Sequence, residues 1–280
     1  MEKIAIITDS SCDLTNEQLG SNNIEMLSLK IIYKDREYRD RTEITSDEIY
    51  RNLGIEVPKT SLPAPGDVQE LLERLKSEGF THVLGVFISS GLSGTFNMVK
   101  QITSDFKEMK VSLVDSKSLS LGLGFAVLEA AKSAREGMEF NDLVEHVKSL
   151  RQKINTYYVI KTLEYLKRGG RIGKVEGTVG DLLNIKPIIS VNEEGVYYTY
   201  KKVRGRKKSI VELIEIVKSH AGQSIKVGVL HGDAEEEAFK IKEVIATFDY
   251  VKEVVLEQIS PVLTVHTGPG LLGVVIQELT

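Results

Sequence analysis

At 280 residues the chain has the length of two modest domains or one large one, enough to bury a real core without disulfide stapling. An apolar share of 41% and a charged share of 27% exclude a disordered chain, a fibrous repeat or a membrane bundle. The formal charge of −4 gives no whole-chain attraction to nucleic acid or to an anionic membrane, so partners must be argued from local sites.

Taken in order, Lys3–Thr8 reads as a buried strand, and Thr15-Asn-Glu-Gln18 is a capping box that opens a helix. Pro65 marks the next helix start, with Val68, Leu71, Leu72 and Leu75 at helical spacing before Gly79 ends it. His82–Ile88 and Val111–Asp115 read as further strands, and Phe96–Ile102, Phe125–Arg135 and Asn141–Ile154 as helices. Strands alternating with helices predict a mainly parallel sheet covered on both faces.

Beyond that point the texture changes. Ile188–Val191 and Val196–Tyr200 flank Asn192-Glu-Glu-Gly195, which predicts a hairpin and so antiparallel pairing. Helices Lys207–Ala221 and Ala234–Phe248, strands Ile225–Leu230 and Val251–Gln258, and the apolar run Leu271–Ile276 complete a mixed α+β half. The division is expected near residue 150: an α/β domain over 1–150 and an α+β domain over 151–280. Neither internal repeats nor low-complexity tracts occur.

Cys12 is the only cysteine, which rules out an intrachain disulfide and a cysteine-based zinc cluster. The apolar run after Met1-Glu2-Lys3 is too short for a signal segment, and no stretch nears the roughly 18 apolar residues of a membrane span. A reducing, cytoplasmic setting is expected.

Several segments carry candidate chemistry. Ile88-Ser-Ser-Gly-Leu-Ser-Gly-Thr95 joins a strand to a helix through small polar residues; it either simply caps that helix or holds an anion on Ser93, Thr95 and backbone N–H groups. Gly91-Leu-Ser93 begins like a nucleophile elbow, but the glycine required two residues later is Thr95, which leaves a Ser93–His266 hydrolase or acyltransferase as the alternative reading. Pro58, Pro63 and Pro65 frame a loop that either leads into a helix or aims Thr60 and Ser61 at an anion.

Lys167-Arg-Gly-Gly-Arg-Ile-Gly173 ends a helical run, its arginines serving either as cations at a helix C-terminus or as guanidinium forks for phosphate or carboxylate. Val203-Arg-Gly-Arg-Lys-Lys208 is a second basic run, either solvated surface or a contact for an acidic partner. His266-Thr-Gly-Pro-Gly270 places a histidine in a glycine-rich turn, away from any helix face, where it can donate to an anion, shuttle a proton or be structural. The other histidines show no metal spacing. Gly122-x-Gly124 lacks the third glycine of a dinucleotide fingerprint and no GxxxxGK[ST] occurs, so phosphoryl chemistry here would need a nucleotide brought by another protein.

In order along the chain, Ile7-Thr-Asp-Ser-Ser, Lys59-Thr-Ser-x-Pro63, Ser89-Ser-Gly-Leu-Ser-Gly-Thr95, Leu163-Glu-Tyr-Leu-Lys-Arg-Gly-Gly-Arg-Ile172, Lys186-Pro187, Arg204 and His266-x-Gly-Pro-Gly270 resemble the DegV family. These are bacterial fatty acid-binding proteins, the lipid-presenting subunit of a fatty acid kinase. The resemblance implies two α/β domains enclosing one long-chain fatty acid, with no other cofactor and no metal. It implies a carboxylate held by Thr60 or Ser61 with Ser93 and Gly94, and a polar network of His266 and Arg168 or Arg171, with Arg204 a further candidate. Two positions depart from the family pattern: Leu62 stands where glutamine is common, and Gly205 follows Arg204 where threonine is frequent. The implied role is a non-enzymatic carrier that presents the carboxyl to an ATP-bearing kinase and retains the acyl phosphate for an acyltransferase of phospholipid synthesis, with transient membrane contact through the basic runs.

Overall fold

The structure, a computed structural model, describes residues 2–178 and 185–279. The first half opens with β1 (Ile4–Asp9), α1 (Asn16–Ser21), β2 (Ile24–Leu27), β3 (Lys30–Ile32), β4 (Glu37–Arg39), α2 (Ser46–Asn52) and β5 (Lys59–Ser61). It continues through α3 (Pro65–Ser77), β6 (His82–Phe87), α4 (Thr95–Ser104), β7 (Lys110–Asp115), α5 (Leu121–Arg135) and α6 (Phe140–Ser149). The box at α1 forms in full: the Gln18 amide donates to Thr15 Oγ1 at 3.1 Å and the Thr15 amide to Gln18 Oε1 at 2.8 Å.

Strands β2-β1-β6-β7 form an all-parallel sheet with helices on both faces. Alternation along β1 shows how: Ala5 and Ile7 pack with Val68 and Leu72 of α3, whereas Ile6 joins the cluster of α5 and α6. Helix α5 starts four residues before the expected Phe125. Gly122 and Gly124 argue against a helix by propensity, but they are there for space, since a Cβ on Gly122 would lie 2.4 Å from Thr156 Oγ1.

The second half holds β8 (Ile154–Val159), α7 (Glu164–Arg168), β9 (Ile185–Val191), β10 (Tyr197–Arg204), α8 (Arg206–Lys218), β11 (Ile225–Gly232), α9 (Glu235–Ile245), β12 (Val251–Gln258), α10 (Pro261–Thr267) and β13 (Leu271–Glu278). Its sheet runs β10-β9-β8-β13-β11-β12, parallel only between β11 and β12. Helices α8 and α9 cover one face, while Tyr158, Ile189, Leu230 and Val275 on the other share a core with α5 and α6. One apolar core therefore runs between the two large sheets.

Two expectations need correction. The helix expected over Asn141–Ile154 stops at Ser149, and Ile154 opens the strand β8, where Thr156-Tyr-Tyr-Val159 favours extended backbone. His266 does not sit in the glycine-rich turn: it lies in the last turn of α10, which starts at Pro261 and is ended by Gly268 at φ +66°. Pro261 at the first helical position was the available signal.

A third, three-stranded sheet, β4-β3-β5, was not foreseen. Together with α2 it packs through Ile31, Tyr33, Ile44 and Ile49 onto Val265 of α10. That contact brings β5 beside a helix from the far end of the chain. Among the described residues no helix is long and apolar enough to cross a membrane.

Candidate functional site

The turn after β6 is pinned from below. Asp9, at the end of β1, accepts the Ile88 amide at 2.8 Å and the Ser11 amide at 3.0 Å, fixing where the chain leaves the sheet. The Ser93 amide then donates to Ser89 O at 3.0 Å, and Ser93 Oγ accepts the Thr95 amide at 3.3 Å and lies 2.8 Å from Thr95 Oγ1. Gly94 precedes α4, and a Cβ there would touch Leu62 at 3.5 Å.

Three other elements close on this turn. Strand β5 supplies Thr60 and Ser61, α10 supplies His266, and the segment after α7 supplies Arg171. Thr60 Oγ1 and His266 Nε2 are 2.7 Å apart. Arg171 donates through Nε to Leu92 O at 3.1 Å and through Nη1 to Gly169 O at 2.7 Å, tying the two glycine-containing turns together. Gly169 is required by packing, because a Cβ there would lie 2.2 Å from His266 Nδ1.

Thr60, Ser61, Ser93, Arg171 and His266 line one cavity of about 220 Å³, whose remaining wall is mostly apolar: Leu29, Leu62, Ile88, Leu92, Val262 and Leu263, with Tyr197 beside Arg171. Burial, with a smaller push from Arg171, lowers the His266 pKa to about 4, so the ring is neutral near pH 7. Among the described residues its Nδ1 is buried without a hydrogen-bond partner. The cavity thus offers neutral hydroxyls and an imidazole, one guanidinium, and an apolar surround.

The other two arginines lie elsewhere. Arg168 is exposed and paired with Glu164 at 2.6 Å, and Arg204 is exposed at the end of β10 opposite Ile185. In and beside the basic runs, Lys174 pairs with Glu194 at 2.6 Å, Lys201 with Glu212 at 2.5 Å and Arg206 with Glu237 at 2.8 Å. A serine hydrolase gains little support here. His266 Nε2 faces Thr60 while Ser93 bonds Thr95, and among the described residues no carboxylate orients Nδ1. A pKa pushed down to about 4 also makes a poor general base near neutrality.

The lining residues Leu29, Tyr197, Val262 and Leu263 were not anticipated, nor was the packing role of Gly169. Nothing in their local sequence sets the four apolar-wall residues apart from core. The Gly169-Gly170 pair did carry a signal, which composition alone reads as a helix end.

Comparison with known proteins follows the same residues along the chain. The family model described as DegV, uncharacterised protein, matches residues 3–279. A DegV domain-containing protein of Clostridium acetobutylicum is 48% identical over 277 residues, covering 99% of each chain, and one of Staphylococcus aureus is 34% identical over 281 residues, again covering 99% of each. Among solved structures, a DegV family protein of Thermus thermophilus, described for its fatty acid binding, superposes with TM-score 0.92 at 31% identity, covering 99% of this chain and 100% of that one. The fatty acid-binding DegV of Bacillus subtilis gives TM-score 0.92 at 29% identity with both chains fully covered. By sequence over its whole described length and by fold, the chain belongs to the DegV family.

Proposed function

We propose that this protein binds one long-chain fatty acid, carboxylate toward Thr60, Ser61, Ser93 and Gly94 with His266 behind them, and acyl chain among the apolar side chains of the same cavity. The observation that carries the reading is the pairing of neutral donors with an apolar wall in one cavity. Each buried methylene contributes about 0.8 kcal/mol, so the tail supplies affinity while the hydroxyls decide orientation. A carboxylate buried without partners is very costly, and hydroxyls and N–H groups satisfy it without a formal counter-charge.

The same arrangement suits presentation of the acid for phosphorylation. Neutral donors leave the carboxylate oxygen nucleophilic, whereas an arginine clamped on it would stabilise the ground state. Arg171 spends two of its N–H groups on backbone carbonyls, and its other N–H groups stand ready for a phosphoryl group. In this reading residues 1–150 carry the head-group loops and 151–280 complete the tunnel. A separate cytoplasmic kinase brings ATP, docking through the basic runs that carry Arg168 and Arg204. The acyl phosphate then passes to an acyltransferase of phospholipid synthesis, and lipid is exchanged at an anionic membrane surface.

Organic extraction of freshly purified, denatured protein with mass spectrometry tests the first step, with about one fatty acid per chain expected. Ser93→Ala is expected to weaken binding of the free acid far more than of the matching alcohol or methyl ester. Absence of stoichiometric lipid together with equal losses for all three ligands would overturn the reading.

A further inference from the structure

Helix α10 is capped by residues far away in sequence. Ser260 stands at its N-cap, yet the serine hydroxyl makes no capping bond to the amides of its own helix. Two fully buried carboxyls from the first half take its place. Asp13 accepts the Ser260 amide at 2.9 Å, and Asp40 accepts the Val262 amide at 2.9 Å, across 247 and 222 positions of chain. Asp13 also accepts the Ser120 hydroxyl from the start of α5.

The helix held this way supplies Val262, Leu263 and His266 to the head-group cavity. Val262 and His266 are four residues apart, one turn along the same face. A shift at the first turn therefore moves the imidazole that must meet Thr60 within 2.7 Å. We propose that Asp13 and Asp40 are positioning residues of the head-group site, acting through α10 to set the burial and orientation of His266. The inference rests on the cavity being that site, and its geometry does not depend on the ligand.

The two acids sit among several charged and titratable groups. Arg41 lies beside them and donates to Leu14 O. Asp9 and Cys12 come from the end of β1 and the turn after it, Glu257 from β12, Tyr50 from α2 and Tyr197 from β10. Burial outweighs the Arg41 charge and raises Asp13 to about 6 and Asp40 to about 7, as for groups held inside at some cost in return for a fixed geometry.

The test follows the His266 ring by NMR in ligand-free protein, with thermal melting as the folding control. Asp40→Ala and Asp13→Ala are expected to raise the His266 pKa by about one unit or more as the ring loses burial. Asp40→Asn, whose amide oxygen can keep the Val262 bond, is expected to restore the unmutated titration. Asp40→Gln, with its acceptor displaced by one methylene, is the second variant should Asp40→Ala fail to fold, and is expected to behave like it. A merely structural role lowers the melting temperature and leaves the ring unmoved, so folded variants with unchanged His266 titration would overturn the proposal. Because no fatty acid is present, this outcome is separate from failure of the lipid reading.

Discussion

Thr60 Oγ1 and His266 Nε2 meet at 2.7 Å although 206 positions separate them. The contact joins a three-residue edge strand to the last turn of a seven-residue helix, neither stable alone. It also indicates where the ring proton sits. A buried Nδ1–H without an acceptor would cost about 1–3 kcal/mol, so the proton belongs on Nε2, donated to Thr60, which frees the threonine O–H for a ligand oxygen.

Thr60→Val keeps shape and removes that relay. Loss of a hydrogen bond to a charged group is worth about 1.5–3 kcal/mol, so affinity for a fatty acid is expected to fall roughly 10- to 100-fold, with little change for its methyl ester. Parallel titrations with acid and ester check this. An ester loss as large as the acid loss would count against a carboxylate role for Thr60.

Acidity separates the two kinds of buried group. Asp13 and Asp40 have raised pKa values in the folded state, so the fold holds extra protons between their ordinary value near 4 and about 6 or 7. Their stabilising contribution is complete below that window and is lost as pH rises through it. His266 has the opposite sign: its pKa is lowered to about 4, so its contribution is present above its ordinary value near 6.5 and is lost as pH falls toward 4. Urea midpoints at about pH 5 and pH 8 are expected to shift in favour of Asp40→Asn over the unmutated protein as pH rises, and in favour of His266→Asn as pH falls. Parallel curves for either pair would remove that group from the account.

Much of the site was legible because motifs mark places where backbone turns at strand ends. Thr60, Ser61, Ser93, Arg171 and His266 are all in or beside such turns, and they converge on one cavity. The parallel sheet and the hairpin were legible for a similar reason, since periodicity reports which face a residue buries. The remaining features depend on long-range pairing, which local pattern does not encode. Strand β8 hides behind a helical continuation of α6, and β5 holds its shape only by pairing with β3. Asp13 and Asp40 look like ordinary loop acids until their amide partners, more than 200 positions on, are brought to them.

Packing behind the histidine makes a sharper prediction than removing it. Gly169→Ala places a methyl group 2.2 Å from the present position of His266 Nδ1, so the ring must rotate or shift toward the cavity. Overpacking of this kind costs about 1–3 kcal/mol, and here the displacement falls on the Thr60 contact. Both lower melting temperature and weaker fatty acid binding are expected, whereas Gly170→Ala, open to solvent but at φ +69°, is expected to affect melting alone. Equal binding by the two variants would show that His266 tolerates movement.

The hairpin turn between β9 and β10 leans on the Ser93 turn from the other side. Ser89 donates its hydroxyl to Gly195 O at 2.7 Å, and Gly195 holds φ +82° with no room for a Cβ, which would lie 2.0 Å from Ser89 Oγ. Gly195→Ala therefore meets both a left-handed backbone penalty of roughly 1–2 kcal/mol and a steric clash. The strain is transmitted to Ser89, whose carbonyl accepts the Ser93 amide, so the Ser93 hydroxyl proposed to meet the carboxylate moves with it. Loss of stability by about 2 kcal/mol or more is expected, with preferential loss of free acid over alcohol binding. Ser89→Ala tests the route, since it removes the bond and relieves the clash: made in the Gly195→Ala background, it is expected to recover part of the lost stability. A double variant no more stable than Gly195→Ala would mean that the backbone conformation or the Lys117 stem, which a Cβ would meet at 2.8 Å, and not contact with Ser89, is what requires glycine.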